Sequence, residues 1–396
     1  MKRQPIFRYL GFAFCTLVAR KIVIALISMN YVRTHQHEVS LNSMMSSREF
    51  KQTVSTLPAN QETFVLILNA HALNMTLNWL CNTEEIPDVH SNSLIVTLDS
   101  VAADALKEQW PNVQQLHWPV PSLQEAFNYG DGRYQLFYLF RANLAQALLV
   151  MGRTFWMVQQ EAFNYGDGRY QLFYLFRANL AQALLVMGRT FWMVQQDTFW
   201  VSTLSGFDVS TRGEDIIFDR SSEKGQLIAG GYYHAKPTQS SMTFFRRLAE
   251  DLSWWYAPDN VYMTSMCELS GLANCGRLPF SLITNWQWLD SKPSNSSPLF
   301  IQFDGETNLG GKLGKMKQLG FYFLQNDGTS CNRRAIQDAY KLLHRRAANW
   351  SRMLSSTQRH FKFYQNIVDS MYSNPWTSWL LNRWILPYAH FVMLSL

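Results

Sequence analysis

From residue 63 onward the chain alternates two apolar patterns. Thr63-Phe-Val-Leu-Ile-Leu-Asn69 is a continuous apolar run, which marks a strand buried on both faces. Residues 74–82 suit a short helix. Ser93-Leu-Ile-Val-Thr-Leu-Asp99 then repeats the buried-strand pattern. Residues 101–110 read as a helix closed by Pro111, and Val113–Trp118 as a third strand. A long helix is predicted over 169–187, where Leu172, Phe176, Leu180 and Leu184 recur at four-residue spacing and Gly188 suits the C-terminal cap. Thr190–Gln196 is a fourth strand running into Asp197. Asp215–Asp219 and Leu227–His234 read as further strands, and 241–256 as a helix with Phe244, Phe245, Leu248 and Leu252 on one face. This order predicts an α/β fold, a mostly parallel sheet with helices on both faces in one domain.

The pattern contains an exact repeat. Residues 125–160 and 161–196 are identical, letter for letter. Solenoid repeats diverge and come in three or more copies. Two identical copies therefore point away from a solenoid and to a recent duplication, or rather to a duplicated exon or an error in the gene's exon assignment. Only the second copy runs into Asp197; the first ends Gln159-Gln160-Glu161. The first copy is expected to find no slot in the sheet, and to destabilise the domain or pack as an extra layer.

The ends of the chain differ from its body. Lys2, Arg3 and Arg8 precede a mostly apolar stretch, Tyr9–Val32, interrupted by Arg20 and Lys21. A basic flank before an apolar run is the arrangement of a signal anchor with a cytoplasmic N-terminus; a cleaved signal peptide and a buried helix are the alternatives. Residues 1–32 are read as that anchor. Residues 33–60 are polar and read as a stem, with Ser46-x-x-Glu49 as a capping box. Residues 61–365 form the expected domain, and 366–396 an apolar tail holding Trp376, Trp379 and Trp384.

Composition narrows the class. With 47% hydrophobic and 16% charged residues the chain has ample material for a core and is not a disordered protein. Four cysteines lie beyond the anchor, Cys81, Cys267, Cys275 and Cys331; they permit two disulfides in three connectivities, or four free thiols. None has zinc spacing. Sequons at Asn74, Asn295 and Asn349 are compatible with a luminal glycoprotein. The net charge of +6 gives no support to nucleic-acid binding, but it is unevenly spread. Eleven Lys and Arg against three acids fall between residues 305 and 362. For residues 333–346 a solvated helix face is the expected cause. Nearer a cleft, the excess suits a diphosphate.

Ligands in open α/β sheets sit at the carboxyl ends of the strands, where Asn69, Asp99 and Asp197 fall. Gly230-Gly231 lies inside a strand pattern, the mark of a bulge or of a close backbone approach to a ligand. The segment from Phe300 to Lys312 ends a strand in a glycine-rich turn whose amides and lysine can hold phosphate oxygens. Its glycine spacing is not that of a P-loop.

Taken in order, these segments resemble the nucleotide-diphospho-sugar transferase family, glycosyltransferases of the GT-A fold. The likeness runs from about Thr63 to Leu324. It rests on Asn69 with Asn78-Trp79-Leu80-Cys81, on Leu94–Asp99, on Tyr170, Arg177 and Gly188, on Trp192–Trp200, on Gly230-Gly231-Tyr232-Tyr233 and on Asp259-Asn260. The resemblance implies a nucleotide-sugar donor, a glycan or glycoprotein acceptor, and a divalent metal, Mn²⁺ or Mg²⁺, held by two carboxylates. It implies catalytic roles for Asp197 and Asp259, metal binding by Asp197 with Gln195, and donor binding by Asn69, Asp99, Arg177, Gly230, Gly231, Asp304 and Lys312. It also implies a single-pass type II protein of the Golgi or ER membrane with a luminal domain. The sequence departs from the family at Gln195, where the first metal carboxylate is expected, at Asn260 in place of a glutamine, and at Asp304, where a histidine is common. The loss of that carboxylate raises an alternative: an inactive domain serving as a luminal binding or scaffold protein.

Overall fold

A computed structural model describes residues 33–58, 63–125, 155–159, 191–195, 197–203, 212–223, 225–254, 259–285, 298–303, 311–345 and 374–380, with scattered single positions elsewhere. The expected signal anchor lies almost wholly outside the described residues. Among the described residues no helix is long and apolar enough to cross a membrane.

The elements run α1 (Leu41–Ser46), α2 (Arg48–Thr56), β1 (Thr63–Leu68), α3 (Leu73–Thr83), β2 (Ser93–Thr97), α4 (Ser100–Gln109), β3 (Gln114–His117), β4 (Phe155–Gln159), β5 (Phe191–Gln195), β6 (Thr198–Trp200), β7 (Ile216–Arg220) and β8 (Ile228–Ala235). There follow α5 (Gln239–Trp254), α6 (Asp259–Ser265), β9 (Cys275–Arg277), β10 (Ile283–Asn285), β11 (Phe300–Gln302), α7 (Gly311–Leu319), α8 (Arg333–Arg345) and α9 (Pro375–Leu380). The main sheet has the order β3-β2-β1-β4-β5-β8-β7-β9, and β10-β11-β6 form a small second sheet. The five strands from β3 to β5 are parallel; β8 is antiparallel to both β5 and β7. The α/β fold with a mostly parallel sheet is as the pattern predicts.

Every residue of β1 and β2 is buried. Their side chains alternate between two core clusters, one on each face of the sheet. Val65 and Ile67 join Val39, Phe50, Phe244 and Phe245. Phe64, Leu66 and Leu68 join Trp79, Trp200, Ile301 and Ile336. This period of two is the pleat of a strand covered on both sides. On the second face α3 clamps distant segments with two buried amides. Asn82 donates to the Trp200 carbonyl at 2.9 Å and accepts from its N–H at 2.7 Å. Asn78 does the same with the Phe321 carbonyl and the Phe323 N–H.

The duplication behaves differently from expectation. The strand of the first copy is not an extra layer: β4 lies inside the sheet between β1 and β5. Thr63–Leu66 pair in parallel with Phe155–Val158, and Met157–Gln159 pair with Met193–Gln195. A parallel strand exposes the same hydrogen-bonding pattern on each edge. A copy can therefore insert beside its twin without changing register. Leu136, Phe140, Leu144 and Leu148 of the first copy are buried in the same cluster as Ala181 and Leu185 of the second.

The segment read as a polar stem also packs on the domain. Val39, Met44, Phe50, Val54 and Leu57 are buried in the first-face cluster. Their spacing is too irregular to stand out among polar neighbours. The helix cap is one residue later than expected: Ser47, not Ser46, accepts from the Phe50 N–H. Two disulfides form, Cys81–Cys331 and Cys267–Cys275. The predicted helix over 169–187 and its Arg177 lie almost wholly outside the described residues, as does Asp304.

Candidate active site

The site is built where β5 ends. Gln195 is its last residue and is 4% exposed; Asp197 follows, 2% exposed. The chain then enters β6, which pairs antiparallel with β11 so that Thr198 faces Gln302. That pairing brings Gln302 to Gln195 from 107 residues away, and the Gln302 amide donates to the Gln195 side-chain oxygen. The Gln195 carbonyl accepts from Thr198 Oγ1 at 2.7 Å and from the Tyr232 hydroxyl at 3.3 Å. Burial, joined by the charges of Asp197 and Asp219, pushes the Tyr232 phenol far above its usual range. It stays protonated and acts as a donor.

Asp197 meets a cation. Lys312 Nζ, from the first turn of α7, lies 2.7 Å from Asp197 Oδ2, and the lysine side chain is 13% exposed. The Asp197 carbonyl accepts from the Phe303 N–H at 2.8 Å, so the last strand before the glycine-rich turn is tied to the carboxylate. Lys315, one turn along α7, is buried as well. By contrast Arg333, Arg334 and Lys341 of α8 are exposed, with Arg333 69% exposed on its bridge to Glu84.

Asp219 was not singled out by the sequence and organises the neighbouring backbone. The β7–β8 register shifts between Phe218 and Arg220, which leaves N–H groups of β8 without ladder partners. The Asp219 carboxylate takes two of them, from Gly230 at 2.8 Å and Tyr232 at 3.0 Å. Gly230 has φ +80°, a backbone region that favours glycine. The room beside both glycines is filled by the protein itself. A Cβ on Gly230 would meet Met263 and Asn260, and one on Gly231 would meet the Gln302 amide. Asn260 of α6 donates to the Ile228 carbonyl at 3.2 Å. Asp259 begins that helix.

Asn69 and Asp99 form a second, separate group. Asp99 caps α4 by accepting from Ala102 N at 2.8 Å, and its other oxygen accepts from Ala70 N at 2.7 Å. Asn69 donates to the Leu123 carbonyl at 3.0 Å. Because β4 intervenes, β1 and β5 are two strand spacings apart, roughly 9–10 Å. Thus the structure brings Gln195, Asp197, Lys312 and, through Gln302, Gly231 together, and leaves Asn69 and Asp99 to one side. The sequence signal for Gln302 was available: a lone amide in the apolar run Phe300–Phe303.

These features bear on the family. A model of the nucleotide-diphospho-sugar transferases matches residues 88–162 and 158–319, more than half of the chain, and its two matches meet at the repeat junction. The chain belongs to the nucleotide-diphospho-sugar transferase family. No relative was found among curated protein sequences. Among solved structures it is similar to the glycosyltransferase GlyE of Streptococcus pneumoniae TIGR4, at 9% identity and TM-score 0.36 over 71% of this chain and 64% of that one. It is also similar to mouse xyloside xylosyltransferase 1, at 9% identity and TM-score 0.32 over 62% and 98%. The third is the mannosyltransferase PcManGT of Pyrobaculum calidifontis, solved with GDP-Man and Mn²⁺, at 10% identity and TM-score 0.28 over 94% and 97%. The chain spans less than two thirds of GlyE's length.

The transferase's donor set does not suit a divalent metal. Mn²⁺ or Mg²⁺ takes hard oxygen ligands, carboxylates above all. Here the first position is an amide whose oxygen already accepts from Gln302, and Asp197, the one carboxylate there among the described residues, is paired with an ammonium. Among the described residues no three His, Cys, Asp or Glu side chains are grouped to hold a metal.

Proposed function

We propose that this transferase moves a sugar from a nucleotide-diphosphate donor to a hydroxyl of a glycan or glycoprotein. The observation that carries the reading is the buried Asp197–Lys312 pair at the carboxyl end of β5, the end of a parallel sheet where ligands bind, within a chain of this family. Lys312 supplies positive charge for the donor diphosphate. Asp197 orients it. Asn69 and Asp99 shape the nucleotide side, with Arg177 and Asp304 as further donor contacts, and Asp259 serves the acceptor side. Gly230 and Gly231 contribute by letting α6 and Gln302 pack close.

The proposed setting is the lumen of the ER or Golgi, reached through the basic-then-apolar N-terminus as a single-pass type II anchor. Two disulfides support it, since such bonds persist in oxidising compartments. Endoglycosidase sensitivity of the native protein tests this placement.

The assay for activity is nucleotide-sugar turnover across a donor panel, for the wild type and Asp197→Ala. Expected is turnover with one donor, reduced about 100-fold in the variant, the scale of a lost electrostatic contact. The engagement of Gln195 by Gln302 favours a second reading, an inactive domain that binds the donor. Nucleotide binding without turnover of any donor establishes that reading instead.

A further inference from the structure

We propose that this protein binds the donor's diphosphate without a divalent metal, the Lys312 ammonium standing where its family relatives would place the ion. The inference rests on the nucleotide-sugar reading above and deepens it.

Three observations meet at one place. First, the only carboxylate at the end of β5 among the described residues is Asp197, and its Oδ2 is 2.7 Å from Lys312 Nζ. Both groups are nearly shut off from water. Breaking such a buried pair by removing one charge is costly. A dication entering here would have to displace the ammonium or lie beside it, and like charges repel strongly where water is excluded.

Second, the residue that would complete a metal-binding pair is neutral and locked. The Gln195 side-chain oxygen accepts from Gln302. Gln302 is held in turn by its strand pairing to Thr198 and Asn285, and the absent Cβ of Gly231 makes room for its amide. An aspartate at 195 would present a charge to a metal. The glutamine instead presents a dipole already used inside the protein.

Third, the positive charge is on a rigid element. Lys312 and Lys315 are three residues apart on α7, so they share a face. On that same face Met316 and Leu319 are buried in the second-face cluster, which fixes the helix. The helix thus carries its cation in a set position, as a bound ion would be. Asp197 then acts as a positioning residue for Lys312 rather than as a ligand.

The test uses the full chain with UDP, GDP and ADP as probes, measured by calorimetry in EDTA and again in Mn²⁺. The expected result is binding of at least one of them, with dissociation constants in the two buffers agreeing within about threefold. Lys312→Met is expected to weaken that binding more than tenfold in EDTA, and Lys312→Arg to keep most of it; circular dichroism of both shows whether the fold is intact. Mn²⁺ alone, followed by its paramagnetic resonance, is expected to stay free with the wild type. With Gln195→Asp combined with Lys312→Met it is expected to be captured. Nucleotide binding that appears only with Mn²⁺ overturns the metal-free proposal and leaves the nucleotide-sugar reading standing. Binding of none of the three under either condition overturns both. Unchanged affinity in Lys312→Met removes the lysine from the role.

Discussion

The Gln302 amide occupies the space that a Cβ on Gly231 would fill, and from there it donates to the side chain of Gln195. The glycine in β8 is therefore part of how the end of β5 is held, although the two strands meet elsewhere along their length. Gly231→Ala is expected to push the Gln302 amide off Gln195 and to cost about 1–3 kcal/mol, the range for overpacking a filled interior. Gln302→Ala in the same chain clears the clash. The double variant is then expected to be less destabilised than the sum of the two singles, and a double-mutant cycle in urea measures this coupling.

β4 and β5 carry the same five residues, Phe-Trp-Met-Val-Gln. Deleting residues 125–160 is expected to let Phe191–Val194 take the partners that Phe155–Val158 now have in β1. The shortened chain should unfold cooperatively with a melting temperature at or above that of the full chain. Asp197 would move one strand spacing, about 4.8 Å, closer to Asn69. Hydrogen exchange at the Val65 and Ile67 amides checks the pairing: protection equal to that in the full chain is the expected outcome, and its loss sinks the substitution of one copy for the other.

Two histidines make stability depend on pH. His90 lies between Trp79 and Trp110, and His234 against Trp192. Burial pulls both from 6.5 to about 4, and Lys236 adds to the effect at His234. A histidine whose folded pKa lies below its unfolded value resists protonation only while folded. Its contribution is complete above pH 6.5 and is lost as pH falls from there towards 4, by up to roughly 3 kcal/mol for each. Urea midpoints at pH 7 and pH 5 should differ in that sense. His90→Gln and His234→Gln should each flatten the difference.

The disulfides differ in what they close. Cys81–Cys331 joins α3 to the turn before α8 across 250 residues, whereas Cys267–Cys275 closes 8. In the chain-entropy account a longer loop constrains the unfolded state more. Cys81→Ala with Cys331→Ala is expected to cost about 2–4 kcal/mol, and Cys267→Ala with Cys275→Ala less. Thermal unfolding of the two double variants ranks them; equal losses would count against the entropic reading.

How much of this was legible beforehand depends on the range of the interaction. The strand ends at Asn69, Asp99 and Asp197 could be read because a buried strand announces itself in consecutive residues. The place of Lys312 after a glycine-rich turn could be read as well, but that its ammonium meets Asp197 could not, since the two are far apart in the chain. Asp219 was hidden for the opposite reason. It looks like the end of a strand, and its use is set by a register shift in its partner.

By itself the sequence determined the central strands, the helices with a single apolar face, the α/β class and the unusual amide at 195. In each case neighbouring residues have only one setting that buries their apolar surface. Tertiary structure decided the place of the repeated strand, because identical segments have identical local preferences and only pairing with β1 and β5 separates them. It also decided that the polar segment after the anchor packs through Phe50 and Val54, which of the cysteines pair, and that Gln195 and Asp197 are held by Gln302 and Lys312. The contacts of Gln195 with Gln302, of Asp197 with Lys312 and of Cys81 with Cys331 join residues more than a hundred positions apart, and their energy exists only once the fold has brought those segments together.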